Sequence, residues 1–326
     1  MKKVLGMGNA LVDVLARIDD DAALTRLGLP KGSMQLIDTA RYIELRKEID
    51  ALPLQRATGG SAGNTILALA NLGMEPGFIG CVGDDESGDF FTENCRSHGI
   101  RFHRVEAEGA SGVALTFISP DGQRTFGTHL GVAAGMTAED LNPRMFDGYG
   151  YFHVEGYLTQ NHTLIDRAYS MARAAGLVSS LDLASYNIVE ADHDFFSYLL
   201  GKVSIVFANE EEAAAFTDKG PVEALEKLAA VCPVAVVKVG ERGAMVARGE
   251  ERVTVPARSV VPIDTTGAGD YFAAGFLYGL ANDYTLRASA EIGTLLASEV
   301  IQTVGTTLDE AVWQKIRSQC ATIANR

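Results

Sequence analysis

A glycine-rich turn with the sequence DTTGAGD occupies residues 264–270, between an apolar segment and a long run of small and apolar residues. This order predicts a strand or connector, a tight turn and then a buried helix. Gly267 and Gly269 would let the backbone approach a ligand closely. The amides of Gly267, Ala268 and Gly269 would be free at the helix N-terminus, where the helix dipole favours an anion.

Asp270 would follow in the first helical turn, beside this anion site. A carboxylate next to a phosphate must either hold a metal or take a proton. We interpret Asp270 as the general base that deprotonates a substrate hydroxyl as it attacks a phosphoryl group. The alternative is that its charge only stabilises the start of the helix.

Composition limits the classes of protein that this chain can belong to. Its 326 residues are 47% hydrophobic, and the net charge of −14 argues against nucleic acid or an anionic membrane as partners. The four cysteines show no CxxC spacing, and the N-terminus carries no apolar signal-peptide core. We expect one α/β domain with an elaboration over residues 1–326, in the cytoplasm, although the length alone also allows two domains.

Strand and helix patterns alternate after about residue 130. Apolar segments at residues 151–154, 177–183, 203–208 and 234–239 are separated by helical patterns. Such alternation predicts βαβ units and a mostly parallel sheet that is covered on both faces.

Three segments do not fit this alternation and predict a small second sheet. They are residues 11–18, 33–38 and about 110–128, where the turn sequence PDGQ at 120–123 indicates a hairpin. We expect them to form a lid over the carboxyl edge of the main sheet, where open α/β sheets bind ligands. The alternative is that they are edge strands of the main sheet.

A second glycine-rich turn, GGSAGN at residues 59–64, opens another predicted helix. Its Asn64 can donate to and accept from sugar hydroxyls, although an Asn at this place can also be an ordinary helix cap. Asp13 is an acid within an otherwise apolar strand. Two vicinal hydroxyls would satisfy its carboxylate if it is buried; a solvent-facing position is the alternative.

Three further groups of residues could serve a phosphate donor. Asn209 and Glu212 follow a strand and could lie near hydrated Mg²⁺, although an Asn followed by acids is also a common helix start. Lys238, Gly240 and Gly243 end the next strand, where glycines could admit a nucleotide. Arg124 in the hairpin could reach a phosphoryl oxygen when the lid closes, or it could simply be solvated.

Several common catalytic motifs are missing from the sequence. There is no GxxxxGK[ST] phosphate loop, no GxGxxG after the first strand, and no HExxH. These absences argue against a P-loop kinase, a nicotinamide-dependent dehydrogenase and a zincin.

Together the motifs resemble those of the ribokinase-like (PfkB) carbohydrate and nucleoside kinases. The resemblance rests on DTTGAGDYFAAG at 264–275, GGSAGNT at 59–65, NEEE at 209–212 and KVG at 238–240. It implies a three-layer α/β/α sandwich with a β-sheet lid, and ATP-dependent phosphorylation of a sugar-type hydroxyl with Mg²⁺. Asp270 would be the base, the amides of residues 267–269 the anion hole, and Asp264, Thr265 and Thr266 part of the cofactor site. K⁺ is a further candidate cofactor.

Within this family, GMGNALVD at 6–13 and MQLI at 34–37 are most similar to adenosine kinases. This similarity implies an adenosine-like nucleoside as the small-molecule substrate. Residues implied to hold the ribose are Asn9, Asp13, Gly59, Gly60 and Asn64, and those implied to lie near the base are Gln35, Ile37 and Tyr157.

Thr266 departs from the Asn of animal adenosine kinases and is common in sugar kinases, so a ribose- or fructose-type kinase is the alternative. A more remote alternative is a protein that binds its ligand but does not catalyse a reaction. The intact Asp270 and anion-hole residues argue against it. We expect a monomer or a homodimer.

Overall fold

The computed structural model describes residues 2–121 and 123–325. Within these residues the strands are β1 (Val4–Met7), β2 (Leu11–Arg17), β3 (Met34–Leu36), β4 (Leu54–Gly59), β5 (Gly77–Val82), β6 (Arg101–Glu106), β7 (Gly112–Ile118), β8 (Arg124–His129), β9 (Tyr151–Glu155), β10 (Val178–Asp182), β11 (Ile205–Asn209), β12 (Val234–Lys238), β13 (Ala244–Arg248) and β14 (Glu251–Val255).

The α-helices of the same residues are α1 (Ala22–Arg26), α2 (Thr39–Ile49), α3 (Ser61–Asn71), α4 (Glu86–Ser97), α5 (His162–Ala174), α6 (Tyr186–Ala191), α7 (His193–Leu200), α8 (Glu210–Thr217), α9 (Pro221–Val231), α10 (Ala268–Ala281), α11 (Leu286–Val300) and α12 (Glu310–Ala324). Short 3-10 turns connect some of the elements, mainly between β8 and α5. None of the described helices combines the length and the apolar character that crossing a bilayer requires.

The main sheet has nine strands in the order β14-β13-β12-β11-β10-β9-β1-β5-β6. All neighbours pair in parallel from β12 to β6, whereas β13 and β14 add an antiparallel edge. The predicted mostly parallel sheet is confirmed. The alternation of strand and helix patterns after residue 130 did not predict β13 and β14. These two strands pair antiparallel and need no helix between them, so they do not follow the βαβ pattern.

Successive residues of each buried strand face opposite sides of the main sheet, so the sheet has two cores. Val4 belongs to the core to which α3, α10 and α11 contribute, while its neighbour Leu5 belongs to the core to which α5, α7 and α9 contribute. The same division separates Phe78 from Ile79 and Ile205 from Val206. The layers are therefore helix, sheet, helix, as the resemblance implied.

The second sheet has five strands in the order β3-β8-β7-β2-β4. It unites the three segments that break the βαβ rhythm, so they are not edge strands of the main sheet. β7 and β8 form the expected antiparallel hairpin; Gly122 of its turn lies outside the described residues. The sequence patterns missed β4, and the residues before the glycine-rich turn, 260–263, form a connector without a strand.

Candidate active site

A cavity of about 1780 Å³ lies where the carboxyl ends of the main-sheet strands face the second sheet. Polar residues that follow or end β1, β9, β10, β11 and β12 reach it from one side, and α10 begins at its floor. The predicted site residues that line it are Asn9, Asp13, Gly60, Asn64, Tyr157, Asn209, Glu212, Lys238, Gly240, Gly243, Thr265, Thr266, Gly267, Ala268, Gly269 and Asp270.

The glycine-rich turn opens α10 through a left-handed residue. Gly267 has φ of 76°, and a Cβ there would come within 2.6 Å of the Thr306 side chain, so only glycine fits. The amide of Ala268 donates to the carbonyl of Thr265 at 3.2 Å, so it is not free as predicted. The amides of Gly267 and Gly269 have no acceptor among the described residues, and the same holds for the Asp270 amide, so donors remain at the helix N-terminus.

Asp270 lies in the first turn of α10 and is held by the other glycine-rich segment. Its Oδ1 accepts from the Ser61 hydroxyl at 2.7 Å, and its Oδ2 accepts from Asn64 Nδ2 at 2.8 Å. Burial raises the pKa of Asp270 to about 6, against the opposite effect of these two hydrogen bonds. A carboxylate with this pKa can accept a proton near neutral pH.

The part of the cavity lined by Asn9, Asp13, Gly60 and Asn64 is called the acceptor side here. Glu155, at the end of β9, organises it, and the sequence analysis did not single this residue out. Its Oε1 accepts from the amide and the side chain of Asn9 at 2.9 and 2.8 Å, and its Oε2 accepts from the Ala62 amide at 2.9 Å. Gly8 is tied to this arrangement, because a Cβ there would lie 2.4 Å from Oε2. Burial raises the pKa of Glu155 to about 7.

Three polar groups of the acceptor side have unused hydrogen-bonding capacity. The Oδ1 atoms of Asn9 and Asn64 are buried and have no partner among the described residues. Asp13 stands against Gly59, whose hypothetical Cβ would lie 2.5 Å from the carboxylate, so Gly59 shapes the site without lining the cavity. Burial raises the pKa of Asp13 to about 7, with Arg124 opposing the effect.

The second sheet contributes an apolar wall, and the residues that line it are offset by one position from those expected near the base. Met34 and Leu36 line the cavity, whereas Gln35 and Ile37 do not. Side chains alternate along a strand, and Ile37 packs into the core instead. The wall is completed by Leu11, Phe126, Leu130, Ala133, Ala134 and Met136.

On the opposite side, Asn209 and Glu212 form a capping box at the start of α8. The Asn209 side chain accepts from the Glu212 amide at 2.8 Å, and both Glu212 oxygens accept from Asn209, at 2.7 and 2.8 Å. The structure therefore contains the helix start that was the alternative to a metal-binding role for these two residues. Burial raises the pKa of Glu212 to about 7. Glu212 also lines the cavity, so its role near a hydrated Mg²⁺ stays a proposal.

Lys238 and Asp182 form an ion pair at the ends of two strands, with Lys238 Nζ 2.9 Å from Asp182 Oδ2. Both side chains are mostly buried and line the cavity. Beyond Lys238, Gly240 and Gly243 have φ of 56° and 99°. A Cβ on Gly243 would lie 2.0 Å from the Val255 carbonyl, so this turn requires glycine.

Arg124, which we expected to reach a phosphoryl oxygen when the lid closes, does not line the cavity in this structure. Its Nη1 lies 3.1 Å from Asp264 Oδ2, and both side chains are buried. Asp264 also accepts from the amides of Thr266 at 3.0 Å and Gly305 at 2.7 Å. Asp264 does not line the cavity either. The ion pair between Arg124 and Asp264 therefore links the second sheet to the turn before α10.

The part of the cavity lined by Asp182, Asn209, Glu212 and Lys238 is called the donor side here, and among the described residues it has no preformed metal cage but fits a phosphate-bound cation. Across residues 2–121 and 123–325, no cluster of three or more His, Cys, Asp or Glu side chains is arranged to hold a metal. The carboxylates of Asp182, Glu212 and Asp270 nevertheless surround a single ammonium, that of Lys238. A polyphosphate entering this region would need added positive charge, and Mg²⁺ bound mainly by phosphate and water supplies it.

A family model described as the pfkB family carbohydrate kinase matches residues 35–312 of this chain. Among solved structures, the adenosine kinase from Sinorhizobium meliloti shares 34% identity with a TM-score of 0.87, over 98% of this chain and 99% of that one. A probable sugar kinase from Rhizobium etli shares 33% identity with a TM-score of 0.88, over 99% of both chains. Adenosine kinase 2 of Arabidopsis thaliana is 24% identical over 94% of this chain and 96% of its own.

Proposed function

Because this chain belongs to the pfkB family of carbohydrate kinases, which transfer phosphate to alcohols, we propose that it uses ATP to phosphorylate the primary hydroxyl of an adenosine-like nucleoside. The observation that carries the proposal is the mixed character of the acceptor side. A polar floor meets an apolar wall within one cavity, which is the arrangement that a sugar joined to a flat base requires.

The polar floor suits a ribose. The unpartnered Oδ1 atoms of Asn9 and Asn64 can accept hydrogen bonds from hydroxyl groups, and the Asp13 carboxylate can accept two more. Gly60 belongs to this floor, because its φ is 86° and a Cβ there would lie 2.2 Å from the Asn9 carbonyl. Substrate hydroxyls would satisfy groups that are costly to leave buried and unpaired.

The apolar wall suits a purine rather than a second sugar-like group. Met34 and Leu36 are 54% and 61% exposed, so two large apolar side chains of the same strand face water in the ligand-free protein. Both line the cavity together with Phe126, and a flat base placed against them would remove this apolar surface from water. Tyr157 borders the same cavity, and its hydroxyl donates to the Ala184 carbonyl at 3.3 Å.

In the proposed reaction, the Asp270 carboxylate takes the proton of the substrate hydroxyl as its oxygen attacks the γ-phosphorus of ATP. The free amides of Gly267 and Gly269, at the positive end of α10, would stabilise the transferring phosphoryl group. Asn209, Glu212 and Lys238 would face the donor phosphates, with Gly240, Gly243, Thr265 and Thr266 bordering the nucleotide. Mg²⁺, when bound with ATP, would neutralise phosphate charge.

A sugar kinase is the second candidate. Thr266 favours it, because Thr at this position is common in sugar kinases whereas animal adenosine kinases have Asn. The 33% identity to a probable sugar kinase from Rhizobium etli favours it as well. On this hypothesis the apolar wall would have no ligand group to cover it. A dependence on K⁺, a cytoplasmic location and a monomeric or dimeric state stay predictions.

A substrate panel tests the proposal and separates the two candidates. Purified protein with ATP and Mg²⁺ is given adenosine, other nucleosides, ribose and fructose, and ADP formation and the phosphorylated product are measured. Adenosine-like nucleosides should give the highest kcat/KM. Turnover of ribose or fructose with no turnover of any nucleoside would establish the second candidate instead.

A further inference from the structure

The ammonium of Lys238 forms an ion pair with Asp182, but it also lies close to the start of α10. A Cβ on Gly269 would lie 3.0 Å from Lys238 Nζ, so the ammonium is in close contact with the backbone that opens α10. The same backbone carries the unpaired amides of Gly267 and Gly269. The positive charge therefore stands beside the helix N-terminus at which a phosphoryl group would bind.

The surroundings keep this lysine charged. Burial acts to lower the pKa of Lys238, but the carboxylates of Asp182 and Glu212 outweigh it and the pKa is raised overall. Asp182 has a second role, since its Oδ1 accepts from the Ala184 amide at 2.9 Å and this bond fixes the carboxylate. The ammonium has three donors, and within the described residues only Asp182 accepts from it. Two donors thus remain for an anion.

We propose that Lys238 is a catalytic residue that binds the transferring phosphoryl group and stabilises its charge in the transition state. This inference deepens the proposed function and rests on it. The acceptor oxygen forms a bond to the γ-phosphorus while the bond from that phosphorus to the β–γ bridging oxygen breaks. The hydroxyl proton passes to Asp270, and the electron pair of the broken bond leaves with ADP. Lys238 stays protonated throughout and donates to the phosphoryl oxygens.

A structural role for Lys238 is the competing explanation, because a buried carboxylate that loses its partner is destabilising. Two variants separate the explanations. Lys238→Met removes the ammonium and leaves the buried Asp182 carboxylate without its ion-pair partner. The double variant Lys238→Met/Asp182→Asn removes both charges, so it avoids the destabilisation caused by an unpaired buried carboxylate. Thermal unfolding identifies any variant that fails to fold.

With the acceptor that the panel identifies, kcat should fall about 100- to 1000-fold in Lys238→Met, the range seen for loss of one preorganised charge-stabilising donor. The double variant should stay equally slow, even where its thermal stability returns to that of the wild type. Recovery of kcat to within about tenfold of wild type in the double variant would overturn the catalytic role, as would near-normal kcat in the single one.

The donor side is also tested without turnover, so that failure of the nucleoside assignment does not decide the matter. Calorimetry measures binding of the Mg²⁺ complex of a non-hydrolysable β,γ-methylene ATP analogue to the wild type and to Lys238→Met. Because a hydrogen bond to a charged group is lost, the analogue should bind about 10-fold more weakly. Equal binding would overturn the phosphoryl contact, whereas a wild type that binds the analogue but phosphorylates no nucleoside would count only against the proposed acceptor.

Discussion

Asn64 and Asp270 are 206 positions apart in the chain, yet Asn64 Nδ2 donates to Asp270 Oδ2 at 2.8 Å. Each belongs to the first turns of a helix that follows a glycine-rich segment, α3 for Asn64 and α10 for Asp270. Because α3 and α10 pack side by side, both helix starts open into the same cavity. The hydrogen bond therefore couples the residue proposed to bind the acceptor to the residue proposed to activate it.

Asp270→Asn should abolish most turnover with little effect on binding. The amide keeps the size of the side chain but cannot take a proton, so kcat should fall about 10²- to 10⁴-fold. Steady-state kinetics with the preferred acceptor measures kcat and KM separately. Ser61→Ala is the matched control, because it removes one hydrogen bond to Asp270 and leaves the carboxylate in place. Near-normal kcat in Asp270→Asn would refute the base assignment.

The acidic limb of the pH–rate profile should report Asp270. Its pKa is raised to about 6, so kcat/KM should increase with pH through about 6 as the carboxylate becomes deprotonated. The Ser61 hydroxyl stabilises the charged form, and its removal in Ser61→Ala should therefore move this limb to higher pH. Ser97→Ala, a change on the exposed end of α4, is the control. An unchanged limb in Ser61→Ala would show that another group controls it.

Much of the fold and the floor of the site could be predicted from the sequence because the signals are local. The turn at Gly267 needs a left-handed residue followed by a helix, and both requirements are visible in a few consecutive letters. The βαβ rhythm likewise places strand ends such as Asn209 and Lys238 at one edge of the sheet. No pairing information is needed to bring these residues to the same place.

The residues that were missed or misplaced depend on pairing and register. Leu36 rather than Ile37 lines the cavity because β3 pairs with β8 in a register that the sequence does not display. Arg124 could be assigned to a lid strand, but its partner Asp264 is 140 positions away. Glu155 directly follows the apolar segment 151–154, and only the fold brings Asn9 to its carboxylate.

Asp13→Asn should stabilise the ligand-free protein at alkaline pH. The pKa of Asp13 is raised to about 7, above the ordinary value near 4 that it regains on unfolding. The unfolded chain therefore releases this proton first, and the charged carboxylate costs stability as pH rises from about 4 to 7. Asn carries no such charge, so its Tm should exceed that of the wild type by about 2 to 5 °C at pH 8 and by less at pH 5.

Binding should change in the opposite direction in the same variant. Asp13 lines the acceptor side, and loss of hydrogen bonds between its charge and substrate hydroxyls should raise KM for the acceptor about 10- to 100-fold. Differential scanning calorimetry at several pH values and steady-state kinetics measure the two effects. Asp147→Asn, at an exposed position, should change neither. A Tm difference independent of pH would contradict the assignment of the titration to Asp13.

Leu36→Ala should weaken nucleoside binding and leave ATP binding unchanged. Leu36 is 61% exposed in the ligand-free protein and lines the apolar wall, so a base that covers it would lose contact with about three methylene-sized groups. We expect KM for adenosine to rise about 5- to 30-fold at unchanged KM for ATP. Ile43→Ala is the matched control, because Ile43 is 51% exposed but does not line the cavity. If both variants keep the wild-type KM for adenosine while turning it over, the base does not lie against this wall.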